Sequence, residues 1–164
     1  MRRRWVADAS PVILLAKVEH VDLLTRLPDE LVVPRAVAEE IHAGLPDDPA
    51  RQWMQEAGRT FVRPVQSVAS EVAAWDLGRG EAAVLSWAYR RPEPWTVLLD
   101  DGAARRAARA LDVHVSGTLG VVLAAKQEGA IGPVRPVLKA LVQAGLRVSE
   151  PVLEQALRYA GEAK

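Results

Sequence analysis

Five acidic residues stand where acids are costly. Asp8 follows the apolar run Trp5-Val6-Ala7, and Asp100 and Asp101 follow a second run from Trp95 to Leu99. Glu40 and Glu81 fall within helical patterns on apolar stripes. In 34–43, Val37, Ile41 and Gly44 recur at i, i+4 and i+7, with Glu40 at i+3. In 80–90, Glu81 itself leads Val84, Leu85 and Ala88 at i+3, i+4 and i+7. A carboxylate on an inward face must be paired or bound to a cation. Several packed together raise one another's pKa, and a divalent cation removes that conflict. The chain has no Cys and three His, so the donors are oxygens and the expected ion is hard, Mg²⁺ or Mn²⁺ rather than Zn²⁺.

Each residue also has a plainer reading. Asp8 can cap the helix that follows, and one of Asp100 and Asp101 can cap the next helix. Glu81 can favour the positive end of its own helix. Glu40 can form a pair with Arg35 or Arg79, while Glu39 points elsewhere and can pair with Arg35 one turn back.

The elements that must position these acids alternate. Strands are expected at 5–7, 31–33, 60–63, 95–99 and 113–115. Helices are expected at 12–18 (with Ser10 as N-cap and Pro11 at the first helical position), 21–27, 34–42, 51–57, 80–89, 102–111, 118–128, 134–144 and 150–160. Gly44 to Pro49 reads as a loop. Alternating strands and helices argue for an α/β fold with a mainly parallel sheet. Sites in such sheets form outside the carboxyl ends of strands, where Asp8, Asp100 and Asp101 lie.

Composition narrows the function. The 164 residues fit one domain, 1–164, and 49% are hydrophobic, enough for a core. Acidic and basic residues balance at 21 each, which excludes a polybasic coat and an acidic disordered tail. The absence of Cys excludes disulfides and thiolate zinc sites. No apolar run is long enough to span a membrane, and the start MRRRWVADASP lacks the apolar stretch of a signal peptide. A cytoplasmic protein is the expectation. A phosphoacceptor domain built on Asp100-Asp101 would want a Lys at a strand end, and Lys17, Lys126, Lys139 and Lys164 offer none.

VADASPVILLAKV, VVPRAVAEEI, GRGEAAVLSWA and VLLDDGAARRAA, in this order, resemble the strand-and-acid segments of the PIN domain, the nuclease family named after the PilT N-terminus. VHVSGTLGVVLAAKQEGAI, with its GTLG turn, resembles a PIN-like subgroup once of unknown function, similar to VapC-type toxins. The resemblance implies a three-layer α/β/α fold with a central, mainly parallel sheet of four or five strands. It also implies extra C-terminal helices, at about 132–164. Asp8 would be the central ligand, with Glu40, Glu81 and either Asp100 or Asp101 completing a catalytic metal cluster. Two departures stand out: Glu81 replaces the usual Asp, and Leu99-Asp100-Asp101 replaces Thr-x-Asp.

The implied activity is metal-dependent endonucleolytic cleavage of RNA, in a toxin paired with an antitoxin; the alternative is a non-catalytic PIN-like protein-binding module. Ser10 and Thr118 would support the acids, or simply cap their helices. Arg105 and Arg109, at i and i+4, would hold flanking phosphates, or form a solvated face. Arg2-Arg3-Arg4 reads as surface, and the five Trp as core or interface. Helices 134–144 and 150–160 could cover the sheet or make a homodimer face.

Overall fold

The sheet is built from short apolar segments whose side chains are buried on both faces, as parallel strands require. The computed structural model describes residues 2–163. Strand β1 (Arg4–Ala7) leads into α1 (Ala9–Lys17) and the single turn α2 (Leu23–Arg26). Strand β2 (Glu30–Pro34) is followed by α3 (Arg35–His42) and α4 (Pro49–Gln55). A 3₁₀ turn, Ala57–Phe61, precedes β3 (Val62–Arg63), then α5 (Ser70–Ala73) and α6 (Arg79–Tyr89). Strand β4 (Thr96–Leu98), α7 (Gly102–Ala110), β5 (Val115–Ser116) and α8 (Thr118–Gln127) follow, and α9 (Arg135–Ala144) and α10 (Glu150–Tyr159) come last.

All five strands are parallel, in the order β3-β2-β1-β4-β5. Val6 lies between Val32 and Val97, and Ala7 pairs with Leu98. The chain runs outward from β1 to β3, then returns to lay β4 against the other side of β1. The order therefore reverses between β1 and β4, the switch point at which such sheets form clefts. Asp8 and Asp100 lie just past those two strands.

Helix α6 packs on β1, β2 and β4 and against α3, while α1 packs against α3, α4, α8 and α9. Leu138, Leu141, Leu146 and Ala156 from the C-terminal segment join the same buried cluster as the sheet. No helix among the described residues is long and apolar enough to cross a membrane.

The expected α/β fold with a parallel sheet is present. Its local differences have simple causes. Helix α1 starts at Ala9, so Ser10 is inside the first turn and is not the N-cap. Helix α4 starts two residues early because Asp48 accepts the Ala50 amide and Pro49 sits at the first position. The third strand shrinks to Val62–Arg63 because residues 57–61 close into a 3₁₀ turn. Of the tryptophans expected in core or interface, Trp5, Trp53 and Trp95 are in the core, and Trp75 is exposed.

Candidate metal centre

Asp8 is the most constrained acid. Its backbone amide donates to the Leu98 carbonyl at 3.2 Å, extending the β1–β4 ladder by one residue. It occupies the N-cap position of α1 in extended conformation, yet its side chain makes no cap bond, so the capping reading fails. The residue is 6% exposed, and its Oδ1 is buried without a hydrogen-bond partner. Burial pushes its carboxyl up to about 7; the Ala9 amide opposes the rise, and the charges of Glu81, Glu40 and Asp100 add to it.

Asp100 is held from two sides. Its Oδ2 accepts from Ser10 Oγ at 3.0 Å and from Thr118 Oγ1 at 2.6 Å, and its Oδ1 accepts from the Thr118 amide at 2.8 Å. Ser10 and Thr118 are therefore supports for an acid. Neither caps a helix: the N-cap of α8 is Gly117, and Thr118 is fully buried. A Cβ on Gly117 would stand 2.6 Å from Asp100 Oδ1 and 3.0 Å from the Leu99 carbonyl, so this approach requires glycine. Asp101 is the residue that caps α7, its Oδ2 accepting from the Ala104 amide at 3.0 Å. Of the two neighbouring acids, the helix cap is therefore Asp101.

The expectation of an inward-facing Glu40 is corrected. Val37, Ala38 and Ile41 form the buried face of α3, and Glu40 is exposed. At 100° per residue, Glu40 falls on the flank of that stripe rather than within it. It pairs with neither Arg35 nor Arg79. Arg79 instead meets Glu39 at 3.2 Å, bridging α6 to α3, so the expected Glu39–Arg35 pair is replaced. Glu40 Oε1 and Asp8 Oδ1 nevertheless face one point: a Cβ on Gly80 would meet them at 3.2 and 3.3 Å. Glu81 is half-buried, and its Oε1 accepts the Gly78 amide at 3.3 Å. It stands in the first turn of α6, at the positive helix end, and also lines the acidic cavity. Burial and the charge of Asp101 raise its pKa, the Gly78 amide opposes, and Glu40 adds a smaller push upward.

All five acids line one cavity of about 460 Å³, with Ser10, Gly80 and Arg147 among their neighbours. Sequence reading missed Gly80, whose lack of a side chain lets Asp8 and Glu40 approach across α6. It also missed Gly145-Leu146-Arg147. Gly145 has φ 118°, a conformation that favours glycine, and this turn carries Leu146 and Arg147 to the cavity wall. Arg105 is near the site, donating to the Leu99 carbonyl at 2.8 Å. Arg109 is exposed and lines a different cavity beside His114, so only its charge reaches Arg105.

The donor set suits a hard divalent ion in kind: oxygen only, mutually repelling, with one buried carboxylate oxygen lacking any partner. As arranged, no group of three His, Cys, Asp or Glu side chains among the described residues converges closely enough to hold an ion. Three of the acids are engaged by protein donors: Asp100 by Ser10 and Thr118, Asp101 by Ala104, and Glu81 by Gly78.

A family model described as a PIN domain matches residues 4–162. No curated protein matches the chain.

Proposed function

Because the chain belongs to the PIN-domain family, whose members are generally metal-dependent nucleases, we propose that it is a Mg²⁺- or Mn²⁺-dependent endoribonuclease. The observation that carries this reading is the unpartnered Asp8 Oδ1, buried in an acid-lined cavity at the switch point between β1 and β4. Among the described residues no hydrogen bond reaches that oxygen, and a cation would compensate it.

Asp8 and Glu40 face each other across Gly80 and would hold the ion, joined by Asp100 and Glu81. A bound divalent ion lowers the pKa of a water and stabilises charge gathering on the phosphate and leaving oxygens. Ser10 and Thr118 orient the Asp100 carboxylate. Leu14 and Leu146 give the cavity apolar wall beside the acids. Arg105 and Arg147 place positive charge at its edge, where flanking phosphates would pass. The test is cleavage of a single-stranded RNA oligonucleotide in Mn²⁺. Wild type should cut it internally and Asp8→Asn should not; equal cleavage by both would remove the assigned mechanism.

The resemblance to VapC-type toxins supports a toxin paired with an antitoxin, acting in the cytoplasm. Induced expression should then arrest bacterial growth, and Asp8→Asn should not. The C-terminal helices leave Val142 and Tyr159 exposed, which supports a homodimer; a light-scattering mass of 17.8 kDa would count against it. One observation favours a second reading, a PIN fold retained for protein contact: among the described residues no three ligands converge as arranged. Calorimetry separates the two, since a contact module binds neither Mg²⁺ nor Mn²⁺ at millimolar concentration.

A further inference from the structure

A second cavity, of about 480 Å³, opens on the other side of Asp100 and shares Asp100, Leu146 and Arg147 with the acidic one. The two adjoin at these shared residues and differ in the rest of their lining. The first is lined by carboxylates. The second has aliphatic walls from Leu119, Leu123, Val148 and Val152, and guanidinium groups from Arg105 and Arg147. Among the described residues neither arginine pairs with a carboxylate. Arg105 is anchored by the Leu99 carbonyl, with its guanidinium 2.9 Å from where a Gly117 Cβ would stand. Gly120 has the same character: a Cβ there would collide with Ser116 Oγ. The two glycines of Gly117-Thr118-Leu119-Gly120 thus let strand end, arginine and helix crowd together along this cavity.

Resting on the nuclease reading, we propose that the second cavity is a nucleotide subsite, holding the base next to the cleaved phosphodiester. A nucleotide combines an anion with a flat ring that tolerates apolar surroundings. This cavity combines cations at its boundary with an aliphatic slot, and its volume is that of a small-ligand site. No Trp, Tyr or Phe lines it, so the base is gripped by aliphatic faces and by a guanidinium plane rather than by ring stacking. The slot includes Val148 and Val152, so the C-terminal segment takes part in substrate choice.

The test titrates AMP, CMP, GMP, UMP and inorganic phosphate into ¹⁵N-labelled protein in EDTA, where no cleavage occurs. At least one nucleotide should shift the amides of residues 116–123 and 147–152 and bind roughly tenfold tighter than phosphate. Val152 is 41% exposed, so Val152→Trp should fold normally, fill the slot and weaken nucleotide binding about tenfold. Arg147→Gln, at an exposed side chain, should weaken nucleotide and phosphate alike. In Mn²⁺, Val152→Trp should raise KM for RNA with kcat little changed. The subsite is refuted if no nucleotide shifts these amides, as expected of a slot for a protein side chain, if phosphate binds equally well, or if Val152→Trp changes nothing. A wild type that binds nucleotide here but cuts no RNA refutes only the nuclease reading. One that cuts RNA but binds no nucleotide refutes only the subsite.

Discussion

Ser10 Oγ donates to Asp100 Oδ2 at 3.0 Å, joining the first turn of α1 to the segment that follows β4, ninety residues later. The bond crosses the switch point of the sheet, so a serine beside one acid fixes the rotamer of another. Thr118 grips the same oxygen more closely, at 2.6 Å, from a fully buried position. Groups that orient a ligand acid typically matter by about 10–100-fold in metal affinity or activity. Thr118→Val preserves shape and removes the hydroxyl. It should lower RNA cleavage toward the upper end of that range, and Ser10→Ala toward the lower end. Cleavage rates at saturating Mn²⁺ and metal titrations of both variants test this; equal losses would overturn the order, and negligible losses in both would detach Asp100 from the chemistry.

Asp100 and Asp101 should separate by substitution. Asp101 caps α7 through the Ala104 amide, and Asn caps as well as Asp whereas Ala does not. Asp101→Asn should leave thermal stability nearly unchanged, and Asp101→Ala should cost about 1 kcal/mol. Asp100→Asn should reduce cleavage at least roughly tenfold more than Asp101→Asn, because Asp100 loses its charge while remaining held by Thr118. Paired melting curves and cleavage rates decide the assignment.

Much of this site was legible from spacing because backbone position depends on local pattern. Asp8 and Asp100 follow apolar runs, and runs that short between helices become parallel strands, so both acids had to sit at carboxyl ends. Burial was less legible. Glu40 looked inward because i+3 from Val37 is near the stripe, but the stripe centres between Val37, Ala38 and Ile41. The partners of the acids were hidden too. Glu39 meets Arg79 and Ser10 meets Asp100 only through the sheet order, which local sequence does not encode. Gly80 carried a faint signal, a glycine on a helix where alanine would be preferred.

Gly80→Ala tests that signal. The new methyl would lie 3.2 Å from Glu40 Oε1, 3.3 Å from Asp8 Oδ1 and 3.4 Å from Val37 Cγ2. Glu40 is exposed and can yield, and alanine favours the helix by about 1 kcal/mol. Stability should therefore change little. The methyl occupies the gap the two carboxylates face, so Mn²⁺ affinity should drop roughly tenfold, a loss of about 1.4 kcal/mol in binding. Melting temperature and calorimetry on one preparation give both halves; a large fall in stability with unchanged affinity would mean that Gly80 serves packing alone.

Asp8 makes the metal-free protein sensitive to pH in an unusual direction. A carboxyl raised to about 7 in the fold, from 3.8, keeps its proton in the folded state while the unfolded chain loses it. The folded state binds more protons between those values, so stability is full below about pH 4 and falls as pH rises through 7. The loss is on the order of 4 kcal/mol from this one group, opposite to the usual carboxylate that stabilises as it ionises. In EDTA the melting temperature should decline from this contribution between pH 4 and pH 7. Asp8→Asn, with nothing to ionise, should flatten that decline. A divalent cation competes with the proton for the ionised form, so millimolar Mn²⁺ should restore stability above pH 7 in wild type and not in Asp8→Asn. A wild-type profile unaffected by either pH or Mn²⁺ would mean that the buried carboxylate is already satisfied within the protein.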